Sequence, residues 1–166
     1  LSHADTIASR IPSTYRMLTT HPDQIVQDNA NTILLTGVRA GNLDYSRRLA
    51  DGANAKLQEL QSHPDETVRN SARTILNTAL VRGKLEFADK LAKDAQKQMD
   101  QLNEHPDEIV RDNARNIVHT GLQSGSFDKC KTMAIDLKPT FDTLKASPHQ
   151  LVRDYARSIL RAAIVR

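Results

Sequence analysis

His63-Pro64-Asp65-Glu66-Thr67-Val68-Arg69-Asn70-Ser71-Ala72-Arg73-Thr74-Ile75-Leu76 is the stretch whose reading decides the fold. It returns 42 residues later as HPDEIVRDNARNIV over 105–118, is preceded at the same interval by His21-Pro22-Asp23, and ends in a degenerate copy at Ser147-Pro148-His149. The chain is a tandem repeat. A period of this length means that each unit is one supersecondary element unable to bury its apolar face alone, so a core arises only where neighbours stack.

Within the quoted stretch, His63 stands where an N-cap belongs and Pro64 takes the first helical position, where its missing N–H costs nothing. Asp65 and Glu66 then give the acidic first turn that a helix dipole favours. The spacing predicts a helix, here helix A, over about residues 65–81, with its start at the proline. Val68, Ala72, Ile75 and Ala79 form one stripe along it, as do Val26, Ala30, Ile33 and Gly37 in the first copy. The third copy has Val110, Ala114, Ile117 and Gly121, and the fourth has Val152, Ala156, Ile159 and Ala163.

Gly41, Gly83 and Gly125 follow helix A at the same period, where a left-handed C-terminal cap wants glycine. A second amphipathic helix, helix B, comes next, with Leu49, Ala50, Ala53, Leu57 and Leu60 matched by Leu91, Ala92, Ala95, Met99 and Leu102. The next copy carries Met133, Ala134, Leu137, Phe141 and Leu144, with Pro139 inside it, where a kink or early break is expected. The expected architecture is all-α, about eight antiparallel helices in one helical-repeat domain over 1–166, with units at about 1–42, 43–84, 85–126 and 127–166. The first residues align with a helix B and the last with the close of a helix A, so a segment of a longer array is expected, with terminal stripes (Ile7, Ile11, Leu18; Val152, Ile159, Ile164) partly exposed.

The string Pro-Asp-x-x-Val-Arg-x-x-Ala-x-x-Ile, from Pro64 and again from Pro106, resembles the second helix of HEAT repeats. The resemblance implies two-helix units stacked into a right-handed superhelix, serving as a protein-binding scaffold. Where that family carries aspartate before the proline, this chain has His21, His63, His105 and Ser147. A two-helix unit of this period also suits other helical-hairpin arrays.

Composition agrees with helices. Aromatics are 4% and Trp is absent, so Ala, Leu, Ile and Val must fill a core of closely approaching helices rather than a sheet. The net charge of +3 resides in residues 151–166, where Arg153, Arg157, Arg161 and Arg166 face only Asp154, a weak footprint for nucleic acid. The single cysteine, Cys130, aligns with Ser46 and Ala88, a small-residue packing position, and excludes an internal disulfide. No apolar run is long enough to span a membrane and no leader opens the chain, so a cytoplasmic location is expected.

The six histidines suggest a metal, but His21, His63 and His105 lie one repeat apart, and helices packed roughly 8 to 10 Å apart cannot bring them onto one ion. No phosphate loop, nucleophile elbow or metalloprotease motif is present, so neither catalysis nor a cofactor is expected. The candidate site is a double row of arginines one helical turn apart: Arg69 and Arg73, Arg111 and Arg115, Arg153 and Arg157. Either they bind a partner, or they form a ladder with carboxylates of their own or the neighbouring repeat, such as Asp65, Asp107, Asp112 and Asp154 at helical spacing. The function expected is a non-catalytic scaffold for a protein or peptide. The alternatives are nucleic-acid backbone binding through the arginines and a structural spacer in a large protein.

Overall fold

The computed structural model describes residues 1–165, which form twelve helices and no strand. In chain order they are α1 (Ser2–Thr19), α2 (Gln24–Asp28), α3 (Ala30–Arg39), α4 (Leu43–Gln61), α5 (Glu66–Asn70) and α6 (Ala72–Arg82). Then follow α7 (Phe87–Asn103), α8 (Glu108–Asp112), α9 (Ala114–Ser124), α10 (Asp128–Lys145), α11 (Gln150–Asp154) and α12 (Ala156–Ile164). None of these helices is long and apolar enough to cross a membrane. The chain divides within α7 into two compact units, Leu1–Ala92 and Lys93–Arg166.

The count exceeds eight because every helix A is two helices. The breaks fall at Asn29, Ser71, Asn113 and Tyr155, one 42-residue step apart, at φ near −100° and ψ near +10°. In two copies the side chain competes with the backbone. Asn29 Nδ2 donates to the Ile25 carbonyl (2.9 Å) and Asn113 Nδ2 to that of Ile109 (2.8 Å), while their own N–H groups shift to Val26 and Val110. Ser71 and Tyr155 still bond the carbonyls of Thr67 and Leu151, so asparagine reinforces a break that the other copies make without it.

The helix also starts later than the sequence suggests. The N-cap residues are Asp23, Asp65, Asp107 and His149, extended at φ −81° to −87°, and the proline lies outside the helix. The histidine that precedes the proline is not the cap. Instead Nδ1 of His21, His63 and His105 accepts the N–H of the aspartate two residues on, at 3.0–3.1 Å, and Ser147 Oγ accepts that of His149 at 3.3 Å. This side-chain-to-backbone turn keeps the proline outside the helix and delivers Asp65 to cap Val68 N–H at 3.1 Å.

The far end of helix A follows expectation. Gly41, Gly83 and Gly125 are left-handed, at φ 66°, 72° and 69°, and the residue after each returns an N–H to the carbonyl of Gly37, Ala79 or Gly121. The expected stripes are buried in the first three copies; in the fourth, Ile159 is 40% exposed. Leu18 and Ile164, expected at exposed ends, are buried instead. Pro139 does not end its helix: α10 runs through it, as α1 runs through Pro12. The turn that loses the bond carries Ile135, 72% exposed, where water reaches it.

Helix A and the following helix B meet through matched small residues. A Cβ on Gly37 would lie 2.0 Å from Ser46 Oγ, and one on Gly121 would lie 2.7 Å from Cys130 Sγ. Both of these side chains bond a helix A carbonyl, Ser46 Oγ to Ile33 (2.9 Å) and Cys130 Sγ to Ile117 (3.2 Å). The second copy has Ala79 and Ala88 at these positions, both fully buried. In the two copies with glycine, the glycine is met by a side chain with a polar tip. Cys130 is 1% exposed, and burial pushes its thiol above the ordinary range, as a packing position requires.

Candidate interaction face

The two arginine rows have different partners. In the first row the guanidinium folds back on the turn that precedes its own helix. Arg69 Nη1 donates to the carbonyls of His63 (2.7 Å) and Pro64 (2.6 Å), and Arg111 Nη1 to those of His105 (2.5 Å) and Pro106 (2.8 Å). Arg153 reaches the Ser147 carbonyl and Gln150 Oε1, both at 2.5 Å. Gln27, where the first copy has no arginine, makes the same bond to His21 at 2.6 Å. The carboxylate ladder expected for this row is thus replaced by a clamp on carbonyls that the irregular turn leaves without helical partners.

The second row does meet carboxylates, but those of the preceding copy. Arg157 Nη1 lies 2.5 Å from Asp112 Oδ2 and its Nη2 lies 3.6 Å from Glu108 Oε1, while its guanidinium rests 5.5 Å from the Phe141 ring centre. Arg73 Nη1 stands 3.9 Å from Asp28 Oδ2. Asp154, expected beside Arg157, instead accepts from Gln150 Nε2 at 2.6 Å. Arg115 occupies the same position on α9 and is exposed. These pairs are solvent-exposed and each contributes roughly 0.2 to 1 kcal/mol.

Beside the Arg157 pair, in the second unit, a cleft of about 630 Å³ opens between α8 and α12. Ile109, Ala162 and Val165 supply its apolar lining, while Asp112, Asn113, Arg157, Ser158 and Arg161 supply polar groups. The first unit has the matching positions, but there Asn29 Nδ2 donates to Asn77 Oδ1 at 3.1 Å and spans the gap. Asn113, like Asn29, bonds its own helix, but Arg161 replaces Asn77 in the second unit, so the side-chain amide bridge that spans the first unit's gap has no counterpart and the cleft stays open.

Sequence reading missed Asn113, Ser158 and Arg161. Their signal was present in the recurrence of asparagine at 29 and 113 on the flank of the arginine row. It also missed a threonine bridge: Thr36 Oγ1 reaches the Leu80 carbonyl (3.4 Å) and Thr120 Oγ1 that of Ile164 (3.2 Å), each 44 residues on. Among the described residues no three His, Cys, Asp or Glu side chains converge in a way that could hold a metal ion. Compared with known proteins, the chain matches no family model, no curated protein and no solved structure.

Proposed function

We propose that this chain is a HEAT-like scaffold that binds an extended segment of another protein, without catalysis, through the helix A face. The observation that carries the reading is the cleft of the second unit, in which an apolar floor lies beside the exposed Arg161 and the Arg157–Asp112 pair. Apolar side chains of a peptide would seat against Ile109 and Val165, and an acidic residue would meet Arg161, a combination of floor and rim typical of protein interfaces. The engagement of Arg69, Arg111 and Arg153 with their own turns favours this over a phosphate track, since a guanidinium already bonded to two carbonyls has fewer donors to offer a phosphate.

A photo-crosslinking residue at Ser158, compared with one at the exposed Lys97 of α7, tests it in extracts of the source cell. Capture of a defined protein from position 158 but not 97, lost on Arg161→Glu, is the expected result. Equal capture from both positions, or capture indifferent to Arg161→Glu, would overturn it. Steeply salt-dependent binding to generic DNA, abolished by Arg73→Glu with Arg157→Glu, would transfer the function to nucleic acid. Absence of any partner would leave a spacer.

A further inference from the structure

We infer that the glycine-turn edge of the first unit docks on an anionic lipid leaflet through an array of unpaired cations. Arg39, Arg47, Arg48, Arg82, Lys84 and Lys90 flank the Gly41 and Gly83 turns, and all six are exposed. The lysine and arginine ion pairs of this unit, Arg10–Asp44, Lys56–Glu59, Lys56–Asp89 and Arg73–Asp28, use none of them, and among the described residues none of the six is ion-paired. Asp44 and Asp89 are thereby taken, which leaves Asp51 and Glu86 in these segments against the six cations. The inference is independent of the helix A cleft, which belongs to the second unit.

Two contacts draw the array together. Thr36 Oγ1 donates to the Leu80 carbonyl, which sets the ends of α3 and α6 side by side. Tyr45 Oη, early in α4, donates to the Gly83 carbonyl, so α4 begins against the turn that follows α6. Aromatic rings then hold cations in place without neutralising them. The Arg48 guanidinium lies 5.4 Å from the Tyr45 ring centre, and Arg82 and Lys90 lie 5.5 and 6.0 Å from that of Phe87. A carboxylate would have cancelled the charge, whereas a ring leaves it available to an outside anion.

Helix stability accounts for only part of this array. Arg39 and Arg82 close α3 and α6, where the helix dipole favours a cation. Lys84 and Lys90 stand just before and within the first turn of α7, where the same dipole disfavours one. The opposite edge of the unit, at the histidine turns, carries Asp23, Asp65 and Glu66, so the body is polarised and meets a negatively charged plane in one orientation. Val81, beside Arg82 in the last turn of α6, is 62% exposed, an apolar side chain that the headgroup boundary receives and a nucleic-acid backbone does not. A cluster of this size is of the kind that anionic leaflets attract, and it needs no spanning helix.

Co-sedimentation of the full chain with vesicles tests this. Vesicles of phosphatidylcholine with about one third phosphatidylserine should bind the chain, pure phosphatidylcholine should not, and binding should weaken as salt rises. Arg47→Glu with Lys84→Glu, at side chains that hold neither a ring nor a carboxylate, should lower the partition coefficient roughly 100-fold with the circular dichroism melt unchanged. Arg16→Glu with Lys97→Glu makes the same change in net charge at exposed positions away from this edge, and should lower it by less than about threefold. Failure to bind the anionic vesicles would overturn the inference, as would equal losses from the two charge-reversed pairs. Tighter binding to a generic DNA duplex than to the vesicles, lost in the Arg47→Glu, Lys84→Glu variant, would overturn it by assigning the edge to nucleic acid. Ser158 and Arg161 lie outside this edge, so failure here leaves the cleft reading intact.

Discussion

Helices α3 and α12 carry the same stripe, yet Ile33 is completely buried and Ile159 is 40% exposed. Their sequences ANTILLTGVR and ARSILRAAI have the same periodicity and form the same element. Local sequence thus determines the helix, while burial depends on its neighbours: α3 lies against both α1 and α4, whereas of the long helices α12 lies against α9 and α10. The same apolar stripe therefore contributes less burial at Ile159 than at Ile33.

The largest expected effect tests that contrast directly. Ile33→Ala should destabilise by about 2 to 5 kcal/mol, because it leaves a cavity in a closed site. Ile159→Ala should cost under about 1 kcal/mol, since a half-open site loses less transfer energy and traps no void. Chemical denaturation of the two variants measures the difference, and equal losses would mean that α12 is covered in solution.

A sharper test concerns the close contact of α3 with α4. Alanine normally favours a helix over glycine by about 1 kcal/mol. At position 37 the sign should reverse, with Gly37→Ala costing about 1 to 3 kcal/mol, because its methyl would meet Ser46 Oγ. Adding Ser46→Ala recreates the Ala79 and Ala88 arrangement and should recover most of that loss, a coupling that a double-mutant cycle reads. Additive losses would show that the two positions do not share one space.

Next in size is the turn clamp. Arg69→Ala should cost about 0.5 to 1.5 kcal/mol, the net worth of its bonds to two carbonyls, and Arg69→Gln should cost less because Gln27 already makes this bond in the first copy. The smallest effect is a pH dependence in the first unit. The Arg10 guanidinium, 2.6 Å from Asp44, holds that carboxyl below its usual 3.8. The stabilisation is present above that value and is lost as pH falls through the lowered one, so Arg10→Ala should flatten this part of the acid-unfolding curve.

The parts legible in sequence are those that depend on one helix and its own turns. Gly83 at the end of helix A and the Val68–Ala79 stripe could be read because capping and amphipathicity are local rules. The arginine partners could not be read from helical spacing, because Arg157 lies one helical turn from Asp154 but pairs with Asp112, 45 residues earlier on a neighbouring helix. His63 was misread for a different reason. A side chain before proline can serve either as a cap or as a turn acceptor, and only the backbone path shows that Nδ1 faces Asp65 N–H. The break at Asn113 depends on competition for a single carbonyl, which periodicity does not register.

The matched small residues also constrain how such a chain can gain or lose units. Each pairing joins a helix A to the helix B that follows it, across the Gly41, Gly83 or Gly125 turn. Recombination between copies at those glycines would set Gly37 against Ala88, leaving a void, or Ala79 against Cys130, producing a clash. A crossover at the His-Pro-Asp turns exchanges whole pairs and keeps each of these small-residue matches together. The histidine turns are therefore the seams at which the gene can be lengthened or shortened without separating a matched pair, and the glycine turns are the places where it cannot.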